Sequence, residues 1–144
     1  MSDFILIEGD QAVFQPNFGP ALVTVQPGIL KGEGPAALGG KKLCVDGDEK
    51  KVAVPGCVYS TPQFSIPGMG TLKIAALAGD QKAEKTSTGG KPVLLKGSIF
   101  TAEFEIQSAA RQPPPGSGSP IPDPARKYSG QGQFITHNTK FFGT

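Results

Sequence analysis

Short hydrophobic runs that alternate with polar residues recur along the whole chain. In residues 100–106, the even positions hold Phe, Ala, Phe and Ile, and the odd positions hold Thr, Glu and Glu. A period of two is typical of a β-strand with one buried face and one face in water. Comparable runs predict further strands at residues 4–7, 12–14, 22–25, 51–54, 57–60, 71–74, 93–95 and 133–136.

Turn-forming residues separate these runs at intervals of roughly 8 to 15 residues. This spacing predicts an all-β fold, a compact module built from short hairpins. Residues 74–84 form the one segment whose pattern also allows a short helix. The turn signals are Gly9-Asp10, Pro27-Gly28, Gly39-Gly40, Asp46-Gly47-Asp48, Gly79-Asp80 and Gly89-Gly90.

The composition strengthens the all-β prediction. Of the 144 residues, 20 are Gly and 14 are Pro, and in helix interiors these residues cost about 1 and about 3 kcal/mol each. A helical bundle or a coiled coil is therefore excluded. No apolar stretch approaches the roughly 18 residues that a membrane-spanning helix needs.

A segment rich in Pro, Gly and Ser interrupts the pattern at residues 112–125. It has almost no apolar content, which is typical of a connector that is first stiff and then flexible. We therefore predict a β domain at residues 1–111, a connector at 112–125 and a C-terminal tail at 126–144. Apolar residues return at 133–136 and at Phe141-Phe142, so we expect the tail to dock on the body or on a partner.

The charge distribution excludes one class of partner. Fourteen Lys and Arg residues against 12 Asp and Glu residues give a net charge of +2, and the basic residues form no block. A nucleic-acid-binding surface usually needs such a block, so no nucleic acid is expected. The first residues, Met1-Ser2-Asp3, lack the features of a signal peptide, which predicts synthesis in the bacterial cytoplasm without one.

The residue types needed for catalysis are scarce. His137 is the single histidine, and no Ser or Cys lies in a known nucleophile motif. The run Gly90-Lys91-Pro92 does not fit a phosphate-binding loop, because the spacing is wrong and Pro92 has no N–H to donate. We therefore predict that the protein is not an enzyme.

The two cysteines, Cys44 and Cys57, allow three interpretations. They are free thiols in a reducing cytoplasm, or a disulfide that forms outside the cell. In the third interpretation they hold a structural Zn²⁺ together with His137, since zinc prefers four nitrogen or sulfur ligands. The fourth ligand would then be Asp46, Asp48 or water. A metal would compensate for the small core of a module rich in Gly and Pro.

Several segments resemble the PAAR-like spike-tip proteins of contractile injection systems, which include phage tails, type VI secretion systems and extracellular phage-tail-like particles. The resemblance covers roughly residues 1–111, as short strands punctuated by Gly around the run Gly-Lys-Pro-Val-Leu-Leu-Lys-Gly. The segments that carry it are residues 44–49, 54–59, 66–74 and 90–100.

This resemblance implies a small cone of β-hairpins with pseudo-threefold character. Its flat base would cap a trimeric β-helical spike, with one tip for three spike chains. Its apex would contact the target-cell envelope first and help to pierce it, and effector cargo could travel with it. Such a tip becomes extracellular when the particle is released or fired. Residues 4–7 are candidates for docking on the spike, although an ordinary core strand is the favoured explanation of them.

The resemblance also bears on the metal. In the family, a zinc ion near the apex is held by three His and one Cys, whereas this chain offers one His and two Cys. Cys44, Cys57 and His137 therefore remain candidate ligands only.

An alternative function is a small β-barrel module that binds a carbohydrate or a peptide. Such a module would expose aromatic side chains in a groove. The chain has no Trp, two Tyr and nine Phe, and most of the Phe residues lie at alternating positions typical of a core.

Overall fold

The computed structural model of the chain describes residues 3–32, 34, 36–38, 40–114, 116, 118–136, 138 and 142–143. The chain forms short strands in this part, with 3₁₀ turns at Asp48–Lys51 and Gly79–Gln81. The strands in its first half are β1 (Asp3–Phe4), β2 (Gln11–Phe14), β3 (Asn17–Phe18), β4 (Ala21–Val23), β5 (Gly28–Ile29), β6 (Ala37–Leu38), β7 (Lys41–Lys42) and β8 (Ala53–Ser60). Those in its second half are β9 (Gly68–Ala76), β10 (Lys82–Thr88), β11 (Lys91–Leu94), β12 (Phe100–Ser108), β13 (Arg111–Gln112), β14 (Ile121–Pro122), β15 (Lys127–Ile135) and β16 (Phe142–Gly143).

An eight-stranded antiparallel sheet forms the body, in the order β3-β4-β8-β9-β12-β15-β2-β5. Strand β12 lies near its centre, and its alternation holds as predicted: Phe100, Ala102 and Phe104 are fully buried. The all-β prediction is therefore confirmed. The core that these side chains enter also contains Phe14, Phe18, Tyr59, Leu72 and Phe134.

The sheet is strongly curled. Its edge strand β3 lies against β15, and a Cβ atom placed on Gly130 of β15 would come within 2.6 Å of the Phe18 ring. Gly130 therefore allows a close approach that any larger residue would prevent. The curl turns the sheet into a half-barrel around a single main core.

Four further antiparallel pairs lie outside the main sheet. They are β1 with β16, β6 with β7, β10 with β11 and β13 with β14. The tail strand β15 pairs with β12 and β2, and β16 pairs with β1. The division at residues 111 and 125 stays a prediction, because strand pairing alone does not define a domain boundary.

Residues 74–84 contain the end of β9, a 3₁₀ turn and the start of β10. The helical alternative for this segment is therefore wrong. The backbone of β9 pairs with β8 and β12, and that of β10 pairs with β11. This tertiary pairing outweighs the local helix propensity of the Ala-rich run. In the described ranges, no helix is long and apolar enough to cross a membrane.

Candidate functional site

A five-residue motif occurs three times in the chain, at residues 6–10, 44–48 and 94–98. The three copies read Leu-Ile-Glu-Gly-Asp, Cys-Val-Asp-Gly-Asp and Leu-Leu-Lys-Gly-Ser. The glycine of each copy has a positive φ, at 93° for Gly9, 103° for Gly47 and 55° for Gly97. Only glycine adopts this conformation readily, so the three copies make the same sharp turn.

Backbone hydrogen bonds join the three copies in a closed ring. The Cys44 N–H donates to the Leu6 carbonyl, the Leu94 N–H to the Cys44 carbonyl, and the Leu6 N–H to the Leu94 carbonyl. Each N···O distance is 2.9 Å. Each residue of the ring therefore donates to one neighbour and accepts from the other, as in an arrangement with threefold symmetry.

A second set of three hydrogen bonds repeats the symmetry one step outwards. Glu8 N–H donates to the Lys42 carbonyl at 2.8 Å, and Asp46 N–H donates to the Pro92 carbonyl at 2.8 Å. The third bond runs from Lys96 N–H to the Phe4 carbonyl at 2.9 Å. Three bent segments, residues 4–8, 42–46 and 92–96, thus form the sides of what we call the strand triangle.

The corners of the strand triangle are the three glycine turns. Two of these turns contain the same hydrogen bond from a backbone N–H to an Asp side chain, and the third does not. Asp10 Oδ2 accepts the Ile7 N–H, and Asp48 Oδ2 accepts the Val45 N–H, each at 2.8 Å. At the third corner the Leu95 N–H donates to the Gln81 carbonyl at 2.9 Å instead. The symmetry is therefore approximate, as expected for one chain in which three copies have diverged.

Each side of the strand triangle begins in a two-stranded ladder. The ladders are β16 with β1, β6 with β7, and β10 with β11, and we call them the triangle ladders. Their registers are equivalent, since Phe4 pairs with Phe142, Lys42 with Ala37, and Pro92 with Ser87. One ladder is built from the two ends of the chain, so the C-terminal strand completes the threefold pattern.

The strand triangle separates two apolar layers. Leu6, Cys44 and Leu94 are fully buried in the main core. The residues beside them form a second, smaller cluster made of Ile5, Val45, Ala83, Val93 and Leu95. The hypothesis that residues 4–7 form an exposed docking surface is therefore wrong for positions 5–7, because Ile5 and Leu6 fill these layers and Ile7 is buried as well.

The two cysteines lie in the main core as free thiols. Burial raises the pKa of Cys44 above its usual range, and the negative charges of Asp48, Asp10 and Glu8 add to the rise. Burial also raises the pKa of Cys57, whose Sγ lies 3.5 Å from the Val54 carbonyl oxygen. Both side chains are therefore held in the protonated thiol form near neutral pH.

The proposed zinc ligand His137 lies outside the described residues. Among the described residues, no three His, Cys, Asp or Glu side chains are grouped as a metal site. The two neighbours of position 137 in the sequence contact the strand triangle. Thr136 Oγ1 donates to Asp10 Oδ2 at 2.6 Å, and Asn138 Nδ2 donates to the Ile5 carbonyl at 2.9 Å. A zinc site made by Cys44, Cys57 and His137 stays a prediction.

A second notable site lies at the other end of the long strands. Asp123 Oδ2 accepts hydrogen bonds from the hydroxyls of Tyr59, at 3.0 Å, and Tyr128, at 2.7 Å. The Tyr59 hydroxyl in turn accepts the Ala110 N–H at 2.8 Å, and the Asp123 N–H donates to the Ala110 carbonyl. We call this network the tyrosine clamp.

The tyrosine clamp fixes the base of a proline-rich hairpin. Strands β13 and β14 pair between Ala110 and Asp123, and the Pro, Gly and Ser residues lie in the loop that joins them. Burial, with a smaller contribution from Asp123, raises the pKa of Tyr59 to about 12. Sequence reasoning missed this network, because Tyr59 and Asp123 are distant in the chain and neither belongs to a motif.

The strand triangle and the tyrosine clamp lie at opposite ends of the body. Strand β12 starts two residues after Ser98, at the third corner of the triangle, and ends at Ser108, two residues before Ala110 of the clamp. Its 9 residues span about 30 Å at roughly 3.3 Å per residue. The body thus has one end with threefold character and one end without it.

A cavity of about 480 Å³ lies beside the strand triangle. Its lining contains no aromatic side chain; it consists of Asp46, Glu49, Lys50, residues 74–79 and residues 82–84. This cavity is not the exposed aromatic groove that the carbohydrate- or peptide-binding alternative requires.

The protein is thus an all-β body with approximate threefold symmetry at one end. The family profile of the contractile injection system spike tip proteins matches residues 1–144. The chain belongs to this family, which confirms the resemblance found in its sequence. Among curated proteins, a search finds no match to the chain. As a spike tip, the protein has a structural role at the end of the spike of an injection particle.

Proposed function

We propose that the protein caps the end of a trimeric β-helical spike, with one copy for three spike chains. The observation that supports this proposal is the ring of hydrogen bonds among Leu6, Cys44 and Leu94. A trimer with threefold symmetry offers three identical edges around its axis. A single chain can match all three only if its own backbone repeats three times around the same axis, as it does in the strand triangle.

The triangle ladders are the elements that would contact the spike. Each ladder leads into one side of the triangle, and their three registers are equivalent. Short two-stranded ladders have free edges, and such edges pair readily with another chain. Each spike chain would therefore meet one ladder.

The proline-rich hairpin at the opposite end would contact the target envelope first. Both of its ends are held by the tyrosine clamp, and proline in a loop lowers the entropy that the chain loses on folding. The base of the hairpin is therefore fixed to the body, which suits a part that transmits force while it helps to pierce an envelope. The role is mechanical and needs no catalysis.

The proposal also includes where the protein is made and how it leaves the cell. It would be made in the bacterial cytoplasm without a signal peptide and would reach the outside as part of the particle. Effector cargo would travel with the tip.

Mixing the protein with the trimeric spike protein of the same gene cluster tests the proposal. Size-exclusion chromatography with light scattering should show a monomer alone and a complex of one tip with three spike chains after mixing. No complex, or a complex with three tips per trimer, would overturn it.

A further inference from the structure

The triangle ladders share a backbone pattern but differ in their side chains. Phe142, Ala37 and Ser87 occupy the equivalent position in the three ladders, opposite Phe4, Lys42 and Pro92. A large aromatic side chain thus stands at one ladder, while the other two carry small residues. The threefold symmetry of the backbone is broken at this position.

Phe142 is unusually exposed for its size. Its exposed fraction is 55%, which is high for a large aromatic side chain. Its ring lies on the ring of Phe4, with 4.4 Å between the centroids and a tilt of 30°. Phe4 therefore holds Phe142 in place before any partner arrives, which lowers the entropy cost of binding.

The triangle ladders also carry an excess of positive charge. Their strands contain five lysines, at positions 41, 42, 82, 85 and 91, against two acidic residues, Asp3 and Glu84. The Asp3 carboxylate already accepts the Phe4 and Gly97 N–H groups. A partner surface with carboxylates would complement this face.

We propose that Phe142 is the anchor of the interface and enters one of three identical apolar pockets at the end of the spike trimer, where carboxylates around the pockets meet the ladder lysines. This inference rests on the proposed function. Interface energy is usually concentrated in a few buried aromatic or Arg residues, and Phe142 is the side chain on this face that fits that description. The two other pockets would meet Ala37 and Ser87.

The symmetry of the partner gives the inference a distinctive consequence. If the three pockets are identical, an anchor moved to another ladder will find an equivalent pocket. Ser87 is the suitable site, because its side chain is exposed and it pairs with Pro92, whose ring lies where Phe4 supports Phe142. The double variant Phe142→Ser with Ser87→Phe should therefore bind, with its anchor in the pocket that meets Ser87 in the wild type.

Four full-length proteins would be titrated with the trimeric spike protein of the same gene cluster: wild type, F142S, the double variant F142S/S87F, and the control I121S. Ile121 is 52% exposed on β14 at the opposite end. We expect F142S to weaken binding at least about tenfold, I121S to change it less than about twofold, and S87F to restore most of the loss. Thermal unfolding should show all four proteins equally folded.

The outcomes separate this inference from the proposed function. If wild type does not bind the trimer, the proposed function fails. If wild type binds and F142S binds as tightly, or if a folded F142S/S87F protein regains nothing, the anchor or the identity of the pockets is wrong. A rise in NaCl from about 0.05 to about 0.5 M should weaken wild-type binding through screening, and unchanged binding would overturn the acidic partner surface.

Discussion

The strand triangle and the tyrosine clamp stabilise the two ends of the molecule in different ways. The triangle is joined by backbone groups from three distant parts of the chain, and its side chains serve to fill two apolar layers. The clamp depends on side chains, with two tyrosine hydroxyls converging on the carboxylate of Asp123. The folding of the triangle end therefore depends little on its surface side chains, whereas the fold of the clamp end depends on one residue.

This difference suits the two proposed roles. An end that meets a symmetric partner needs a repeated backbone with adaptable side chains, because the partner repeats as well. An end that meets an envelope needs only a fixed hairpin, and a single buried acceptor provides this locally. The comparison predicts global effects from changes in the triangle and local effects from changes in the clamp.

Removing a core side chain of the strand triangle should have the largest effect. Leu94 is fully buried in the main core, and a Leu→Ala change at such a site costs about 2–5 kcal/mol. Leu94→Ala should therefore lower the free energy of unfolding of the whole protein, measured by urea denaturation. Leu22→Ala is the matched control, because Leu22 is 59% exposed and its loss should cost less than about 0.5 kcal/mol. If the two variants lowered the free energy of unfolding equally, the side chains of the triangle would not be an important part of the main core.

Removing the acceptor of the tyrosine clamp should have a smaller and more local effect. Asp123→Ala leaves the buried Tyr59 hydroxyl and the half-buried Tyr128 hydroxyl without their acceptor, which costs about 1–3 kcal/mol. Hydrogen exchange should become faster at the Ala110 amide and in β13 and β14, while the amides of Leu6, Cys44 and Leu94 stay protected. Loss of protection at both ends together would show that the clamp is not a separate unit.

High pH should weaken the clamp through its tyrosines. Burial raises the pKa of Tyr59 from its ordinary value near 10 to about 12, and the pKa of Tyr128 rises for the same reason. A raised pKa means that the folded protein binds the proton more tightly, so the stabilisation is complete below pH 10 and disappears as the pH rises towards 12.

Denaturation by urea, repeated from pH 9 to 12, measures this loss. The double variant Y59F/Y128F is the control, since it keeps the buried thiols, whose raised pKa values also make the stability depend on pH. Its stability should fall less steeply with pH than that of wild type, and an identical slope would contradict the assignment to the clamp.

The smallest expected effect concerns the metal. If Cys44, Cys57 and His137 hold zinc, elemental analysis should find about one zinc per chain, and Cys57→Ser should remove it. Zinc would then add a third kind of stabilisation near the triangle. A stable protein without metal would instead leave both cysteines as packed core thiols.

Local features of the fold followed from the sequence, and distant contacts did not. The alternation of residues 100–106 predicted the centre of β12, because successive side chains of a strand point to opposite faces and the pattern is therefore visible in consecutive residues. The strand triangle depends on contacts among Leu6, Cys44 and Leu94, and the short motif that marks it recurs at unequal intervals. The tyrosine clamp joins Tyr59 to Asp123, which are separated by almost half of the chain, and no local sequence pattern predicts such a contact.

The central claim is that the strand triangle is the end that meets the spike. Hydrogen exchange tests this claim, because it compares the exchange rates of the amides at each end of the protein, alone and in complex with the trimeric spike protein. The account predicts slower exchange in the triangle ladders, which are β16 with β1, β6 with β7, and β10 with β11, with the hairpin of β13 and β14 unchanged. Slower exchange in that hairpin, with the ladders unchanged, would contradict it.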